Sequence, residues 1–485
     1  MAISIYASRV ILDALGVVDY GIYNIVGGII VLFTFISSSM NTATQRYLNV
    51  AMGEGGETAV RKIFSNSLIL YALLVLCIFI VTEIAGLWLI KNELNIPEDR
   101  MDAAIFVFHF SVLTFCLNIF RTPYNAMVIA HEQMSFYAYS SLVESGLKLV
   151  IIWMLPLFAY DKLKFYAVLV FGVAVLLLLW YYCYCRIHFP SCRYNREGDR
   201  KLIREMMSFS GWNLFGGIAD VGMTQGTNMI LNVFYGVTLN AAFGLANQVR
   251  GAIFSFVANL QIAANPQIVK SYSVGDISYF KNLVYSVSKY SFFLILLIAL
   301  PLICNAEFIL DLWLVEIPPH TVQFLILITI LIIFDSLHGP LWTAMQANGD
   351  LKMYQIVMSS LLILNLPLTY LVLYMGYRPE AVIVIQIFLK VVVLAARLLF
   401  AQNKCGISIT QYICKVIYPV GRVSIITVPV VVYMSFHMTN GFFRLLSTLS
   451  VSTTLILCST YFLGITAQER KLVRKKIDKL IFKRA

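Results

Sequence analysis

Apolar residues fill this chain in runs of twenty or more, separated by short polar stretches, and that pattern predicts an α-helical membrane protein. About 20 apolar residues carry a helix across the hydrocarbon core of a bilayer. Such runs lie near 1–15, 22–47, 63–90, 103–130, 135–160, 165–189, 209–235, 238–271, 283–314, 321–347, 352–375, 381–402, 412–437 and 443–464, which makes fourteen predicted spans. The first is short, because fifteen helical residues reach about 22 Å against a core of about 30 Å. The expectation there is a distorted helix or a native start upstream of Met1. No basic region precedes this run and no small-residue cleavage site stands out, which argues against a signal peptide.

The polar interruptions set orientation and divisions. With the N-terminus in the cytoplasm, the inner loops collect Arg61, Lys62, the run from Arg186 to Arg204, Lys270, Lys281, Lys352, Lys404 and Lys415, and the tail adds eight more basic residues. The outer loops hold few cations, and the one around Glu93, Glu98, Asp99 and Asp102 is acidic. Positive charge favours the inner side, so both termini are expected in the cytoplasm. The longest interruption follows the sixth span and is basic, as expected of a connector lying on anionic lipid headgroups. The predicted divisions are an N-terminal six-helix lobe over 1–189 with a truncated first helix, a cytoplasmic connector over 190–208 and a C-terminal six-helix lobe over 209–405. Helices 13 and 14 follow over 406–466, then a basic tail over 467–485 that reads as an interfacial amphipathic helix.

Composition narrows the function. Hydrophobic residues make up 60% of the 485 and charged residues 13%, with a mean hydropathy of +0.80, far outside the range of soluble domains. The net charge of +11 sits in loops and tail, where topology places it, so nucleic acid is not the expected partner. Nine cysteines without a CxxC give no disulfide framework and no zinc site. No phosphate-cradling loop and no paired catalytic residues appear, and the six histidines are dispersed. Neither an enzyme nor a cofactor or metal is expected.

One motif recurs at a fixed spacing. Pro123, Ala130 and Tyr137 match Pro340, Ala347 and Tyr354, offset by 217 residues. Leu-Trp-Leu at 87–89 and 312–314, and Phe33-Thr-Phe35 against Phe254-Ser-Phe256, recur at offsets of 225 and 221. These echoes point to a duplicated six-helix unit, both copies in one orientation. The expected fold is all-α: a polytopic membrane protein of about 14 transmembrane helices, in two pseudo-repeated lobes plus a C-terminal pair. In transporters built this way the site lies between the repeats.

Polar residues inside the spans mark candidate chemistry, because hydrocarbon offers amides and charges no partners. The stretch from Gly211 to Tyr272 is the richest, with Asn213, Asn228, Asn247 and Gln248 as candidates for hydrogen bonds to a substrate. Asp220, Thr224 and Thr227 fall at i, i+4 and i+7 and predict one polar face. Arg250 lies about 13 residues past Val237, hence about 20 Å from the outer end of its helix. It is the strongest candidate for an anionic substrate, the alternative being a structural pair with Asp220 or Asp335. Lys390 is another deep cation; Arg9 leans to the same role, and Arg46 stands between snorkelling and substrate contact. Glu144 and Lys148 at i, i+4 are expected to neutralise each other. Asp335 and His338 at i, i+3 are expected to do the same or, with Asp220, to couple an ion.

SRVILDALGVVDYGIYNIVGG at 8–28, TQRYLNVAMG at 44–53, GWN at 211–213, NAAFGLANQV at 240–249 and NPQIVKSY at 265–272 together resemble the bacterial polysaccharide transporter family. These are the O-antigen-type flippases of the multidrug, oligosaccharidyl-lipid and polysaccharide exporter superfamily. The resemblance implies a flippase of the bacterial inner membrane that moves an undecaprenyl-pyrophosphate-linked oligosaccharide outward by alternating access. It also implies a basic central cavity with Arg9, Arg46 and Arg250 among its cations, and glycosyltransferases and a polysaccharide polymerase as pathway partners. Family members usually carry more sequence before the Ser-Arg pair. The rival expectations are a cation-coupled multidrug exporter of the same superfamily and, further off, a membrane-embedded glycan polymerase or acyltransferase.

Overall fold

A computed structural model describes residues 19, 22–23, 34–54, 56–92, 98–155, 161–193, 199–235, 237–314, 317–466 and 469–471. The described residues are helical throughout, with no strand among them. In chain order the helices are α1 Thr34–Glu54, α2 Gly56–Asn92, α3 Met101–Ala130, α4 Met134–Met154, α5 Lys162–His188, α6 Arg200–Tyr235 and α7 Val237–Ser273. Then come α8 Ile277–Cys304, α9 Ala306–Trp313, α10 Thr321–Asp335, α11 His338–Asn348, α12 Lys352–Ile363, α13 Asn365–Tyr374 and α14 Ala381–Cys405. The last two are α15 Ile409–Phe436 and α16, which continues through a π turn to span Phe442–Gly464. Among the described residues, ten continuous or kinked helices are long and apolar enough to cross a membrane. An all-helical build follows from the solvent, since a helix satisfies its backbone internally where lipid offers no hydrogen bonds. Large apolar side chains such as Ile84, Trp153, Ile187 and Phe436 therefore stand exposed on the helix surfaces.

Two compact units divide the chain, Met1–Gly217 and Ile218–Ala485, and the division falls within α6. In unit 1 the core gathers Leu48, Phe64, Met127 and Cys185. In unit 2 it gathers Phe243, Val257, Phe324 and Ile328. Side chains close several helix starts: Asp161 accepts from the Leu163 and Lys164 amides and Asp276 from that of Tyr279, each meeting an N–H the helix leaves unpaired.

Three predicted spans prove to be interrupted. The run 283–314 breaks at Asn305, whose side-chain amide donates to Pro301 O and to Thr448 Oγ1. The run 321–347 unwinds at Ser336 and Leu337, and 352–375 breaks at Leu364. In the last two cases a proline follows within four residues, Pro340 and Pro367. Each removes the N–H that would bond the carbonyl four residues earlier, a loss that an unbroken apolar pattern conceals.

The recurring motif lies on comparable elements. Pro123 and Pro340 lie within α3 and α11, and Tyr137 and Tyr354 stand in the first turns of α4 and α12. A cysteine thiol then ties a later helix back to each of these: Cys185 Sγ donates to Tyr124 O and Cys405 Sγ to Ala344 O, both across 61 residues.

Candidate functional site

Unit 2 concentrates charge where α10 ends. Arg250, about a third of the way along α7, places Nη2 3.0 Å from Asp335 Oδ2. Lys390 of α14 places Nζ 2.7 Å from the other oxygen. One carboxylate thus stands between two cations, and the trio keeps a net positive charge. Sequestration is strong: only about a tenth of the Asp335 and Lys390 side chains is exposed. The expected Asp335–His338 pair does not form as such, because both carboxylate oxygens are engaged by the cations. The His338 ring is buried beside the Lys390 backbone.

The broken backbone beside this trio is held by side chains from three other helices. Gln261 Nε2 donates to Ser336 O at 3.3 Å, the carbonyl that Pro340 leaves without its usual donor. Tyr412 Oη donates to Leu337 O at 3.5 Å, and Arg397 Nη1 to His338 O at 3.3 Å. The Arg397 guanidinium also lies over the rings of Trp342 and Tyr354, at 5.7 and 5.8 Å. A Cβ at Gly339 would overlap the Gln261 carboxamide, so any larger residue there must shift that side chain.

Unit 1 repeats the charge pattern in a more open setting. Glu144 accepts from Lys148 Nζ at 2.8 Å and from Arg121 Nη1 at 3.3 Å. The i, i+4 pair read from the sequence is present, but with a second cation from α3. The Arg121 guanidinium lies 5.5 Å from the Tyr181 ring and lines a cavity of about 250 Å³ with Ser37, Asn41, Asn118, Thr122 and Asn125. Elsewhere in the unit, His109 Nδ1 sits 2.9 Å from Glu83.

The remaining predicted residues scatter. Arg46 is half-buried with its guanidinium 5.0 Å from the Tyr47 ring and 4.9 Å from that of Phe209. Asn213 is buried with neither side-chain atom partnered among the described residues. Asn228 is half-buried and Gln248 exposed, while Asn247 turns back to donate to Phe243 O. Asp220 is exposed, whereas Thr227 is buried and accepts from Asn365 and Gln386, so the polar face of α6 runs from the surface into the core. Arg9 lies outside the described residues. Arg121 and Arg397 were not singled out by sequence, although each is a cation inside an apolar run, the same signal that marked Arg250. No group of three His, Cys, Asp or Glu side chains among the described residues could hold a metal ion.

These features define a multi-pass, all-helical membrane protein. An outward-facing multidrug-resistance MATE-family transporter of the MOP superfamily superposes with a TM-score of 0.71 at 13% identity, over 82% of this chain and 90% of that one. A MOP-superfamily transporter from Pyrococcus furiosus, whose binding pocket of reverse polarity suggests a different function, gives 0.72 at 12%, over 84% and 92%. A MATE transporter in its straight conformation gives 0.70 at 14%, over 83% and 91%. A family model for polysaccharide biosynthesis proteins matches residues 4–272, more than half of the chain. The chain belongs to that polysaccharide biosynthesis protein family. No curated protein matches it in sequence.

Proposed function

We propose that this protein is a flippase for an undecaprenyl-pyrophosphate-linked oligosaccharide, moving it from the cytoplasmic to the periplasmic leaflet of a bacterial inner membrane by alternating access. The family supplies the pathway, and the Arg250–Asp335–Lys390 trio supplies the observation that carries the reading. A cation at bilayer depth is costly unless it is paired or wetted, and here two cations share one acid. The surplus charge suits a pyrophosphate, which a guanidinium grips through two parallel hydrogen bonds. Glycan hydroxyls cost several kcal/mol each, about 4–8 on transfer to an alkane, if moved unpaired into hydrocarbon, so the sugar needs a wet passage while the prenyl chain stays in lipid. An inside-negative potential assists, by about 2.3 kcal/mol per charge per 100 mV.

A drug exporter selecting organic cations would need free acids. Glu144 and Asp335 are each engaged by two cations, which weighs against that reading and leaves it to rest on the exposed Asp220. The reverse-polarity pocket of the Pyrococcus furiosus transporter, taken to suggest a different function for that protein, offers a parallel.

Deleting the gene should cause a lipid-linked glycan to build up on the inner leaflet, and absence of any such build-up refutes the flippase reading. In the deletion background, Arg250→Ala should abolish glycan export at an unchanged protein level, since Lys390 still pairs Asp335. Full export by that variant would remove the trio from the mechanism.

A further inference from the structure

The cavity in unit 1 belongs to none of the roles above. Asn118, Arg121, Thr122 and Asn125 fall at i, i+3, i+4 and i+7 of α3, so they form one stripe along a membrane-spanning helix. Ser37 and Asn41 on α1, four residues apart, complete the lining. A polar stripe of this kind within an apolar span faces protein or water, not lipid. Arg121 lies nine residues before the end of α3, about 14 Å along the axis.

We propose that this cavity is a sugar subsite, which holds one monosaccharide ring of the transported lipid-linked glycan. The inference rests on the flippase reading and names what that reading leaves open, the place where the sugar is recognised. Carboxamides and hydroxyls both donate and accept, which matches the alternating demands of a ring of hydroxyl groups. The Asn125 Oδ1 atom is buried without a partner among the described residues, an acceptor left for a ligand or water. Phe115, also in the lining, offers an apolar face to sugar C–H groups. Arg121 is held on one side by Glu144 and over one face by Tyr181. Its remaining N–H groups are donors of fixed direction, suited to a ring or carboxylate oxygen.

Size and charge narrow the occupant. A volume of about 250 Å³ falls below the 300–1,000 Å³ typical of sites for drug-sized molecules, which suits a single ring with the rest of the glycan outside it. Arg121 and Lys148 outnumber Glu144, and a cationic ligand is disfavoured.

The test uses the full chain in lipid nanodiscs and three probes: undecaprenyl pyrophosphate alone, the same lipid bearing one hexose, and the same lipid bearing one N-acetylhexosamine. The wild type should bind at least one glycosylated lipid about tenfold more tightly than the bare lipid, the increment of one or two well-made hydrogen bonds. Asn118→Leu, at an exposed side chain, should erase that preference while leaving bare-lipid affinity intact. Should that variant not purify as a monodisperse species, Asn125→Ala takes its place with the same expectation. Equal binding of bare and glycosylated lipids by the wild type, or loss of both together in the variant, overturns the subsite. Binding of none of the three by the wild type counts against the flippase reading itself.

Discussion

Each unit sets one acid between two cations, yet the two trios are built for different surroundings. In unit 1 about 30% of the Glu144 side chain and 55% of Lys148 remain exposed. In unit 2 the figures are 10% for Asp335 and 11% for Lys390. The same contrast recurs where each unit fastens a chain segment. Lys62 holds Asp199 at 2.8 Å with side-chain exposures of 50% and 30%. Lys289 holds Glu469 at the same distance with 4% and 19%. The acid and the lysine of each pattern are thus more exposed in unit 1 than in unit 2, while the two arginines, at 19% and 21%, are alike. The lesson is energetic: an open pair is worth little, whereas removing one partner of a closed pair strands a charge.

The largest expected effect follows directly. Asp335→Asn leaves Arg250 and Lys390 without a counter-charge and should cost about 3–5 kcal/mol, read as loss of monodisperse protein in detergent and a fall in Tm. Glu144→Gln should cost less than about 1 kcal/mol. Equal losses from the two substitutions would dissolve the contrast between the units.

A second comparison uses the motif register, in which Gly339 stands where unit 1 has Thr122. Gly339→Ala must displace Gln261 from the Ser336 carbonyl and should cost about 1–3 kcal/mol. Thr122 only bonds Asn118 O within its own helix, so Thr122→Ala should change stability by well under about 1 kcal/mol. A thermal-shift series on both variants checks the difference.

A further test concerns pH and salt. Burial raises the Glu469 carboxyl, but Lys289 and the Thr466 amide prevail and hold it at about 2, below its ordinary 4.5. A depressed carboxylate stabilises the fold above its unfolded pKa, and the contribution fades as pH falls from about 4.5 towards about 2. Glu469→Gln should flatten stability across that window. Lys62, with the Leu202 amide, also lowers the Asp199 carboxyl. This pair lies at the solvent, so its contribution above pH 3.8 should shrink with added salt. A salt-insensitive loss of stability in Asp199→Asn would contradict the open setting assigned to unit 1.

Much of this was legible before folding. Apolar run length located the helices, and the depth of Arg250 and Lys390 marked them as cations in need of a partner. Asp335 was one of two acids weighed for Arg250, and the i, i+4 spacing gave Glu144 with Lys148. Three things were hidden. The cation not foreseen on each acid comes from a distant segment: Arg121 lies 23 residues before Glu144, and Lys390 reaches Asp335 from α14. The helix breaks were masked because Ser336, Leu337 and Leu364 sit inside uninterrupted apolar runs. The burial of Thr227, on the face it shares with Asp220 and Thr224, was hidden for a third reason: its partners Asn365 and Gln386 lie far along the chain.

The break at Ser336 and Leu337 has a mechanical side. Three consecutive carbonyls are pinned by Gln261 of α7, Tyr412 of α15 and Arg397 of α14, so four segments meet at one fastening point. An unwound turn left to itself is a joint; one pinned from three sides is a rivet. Rotation of any of these segments should therefore carry the others with it.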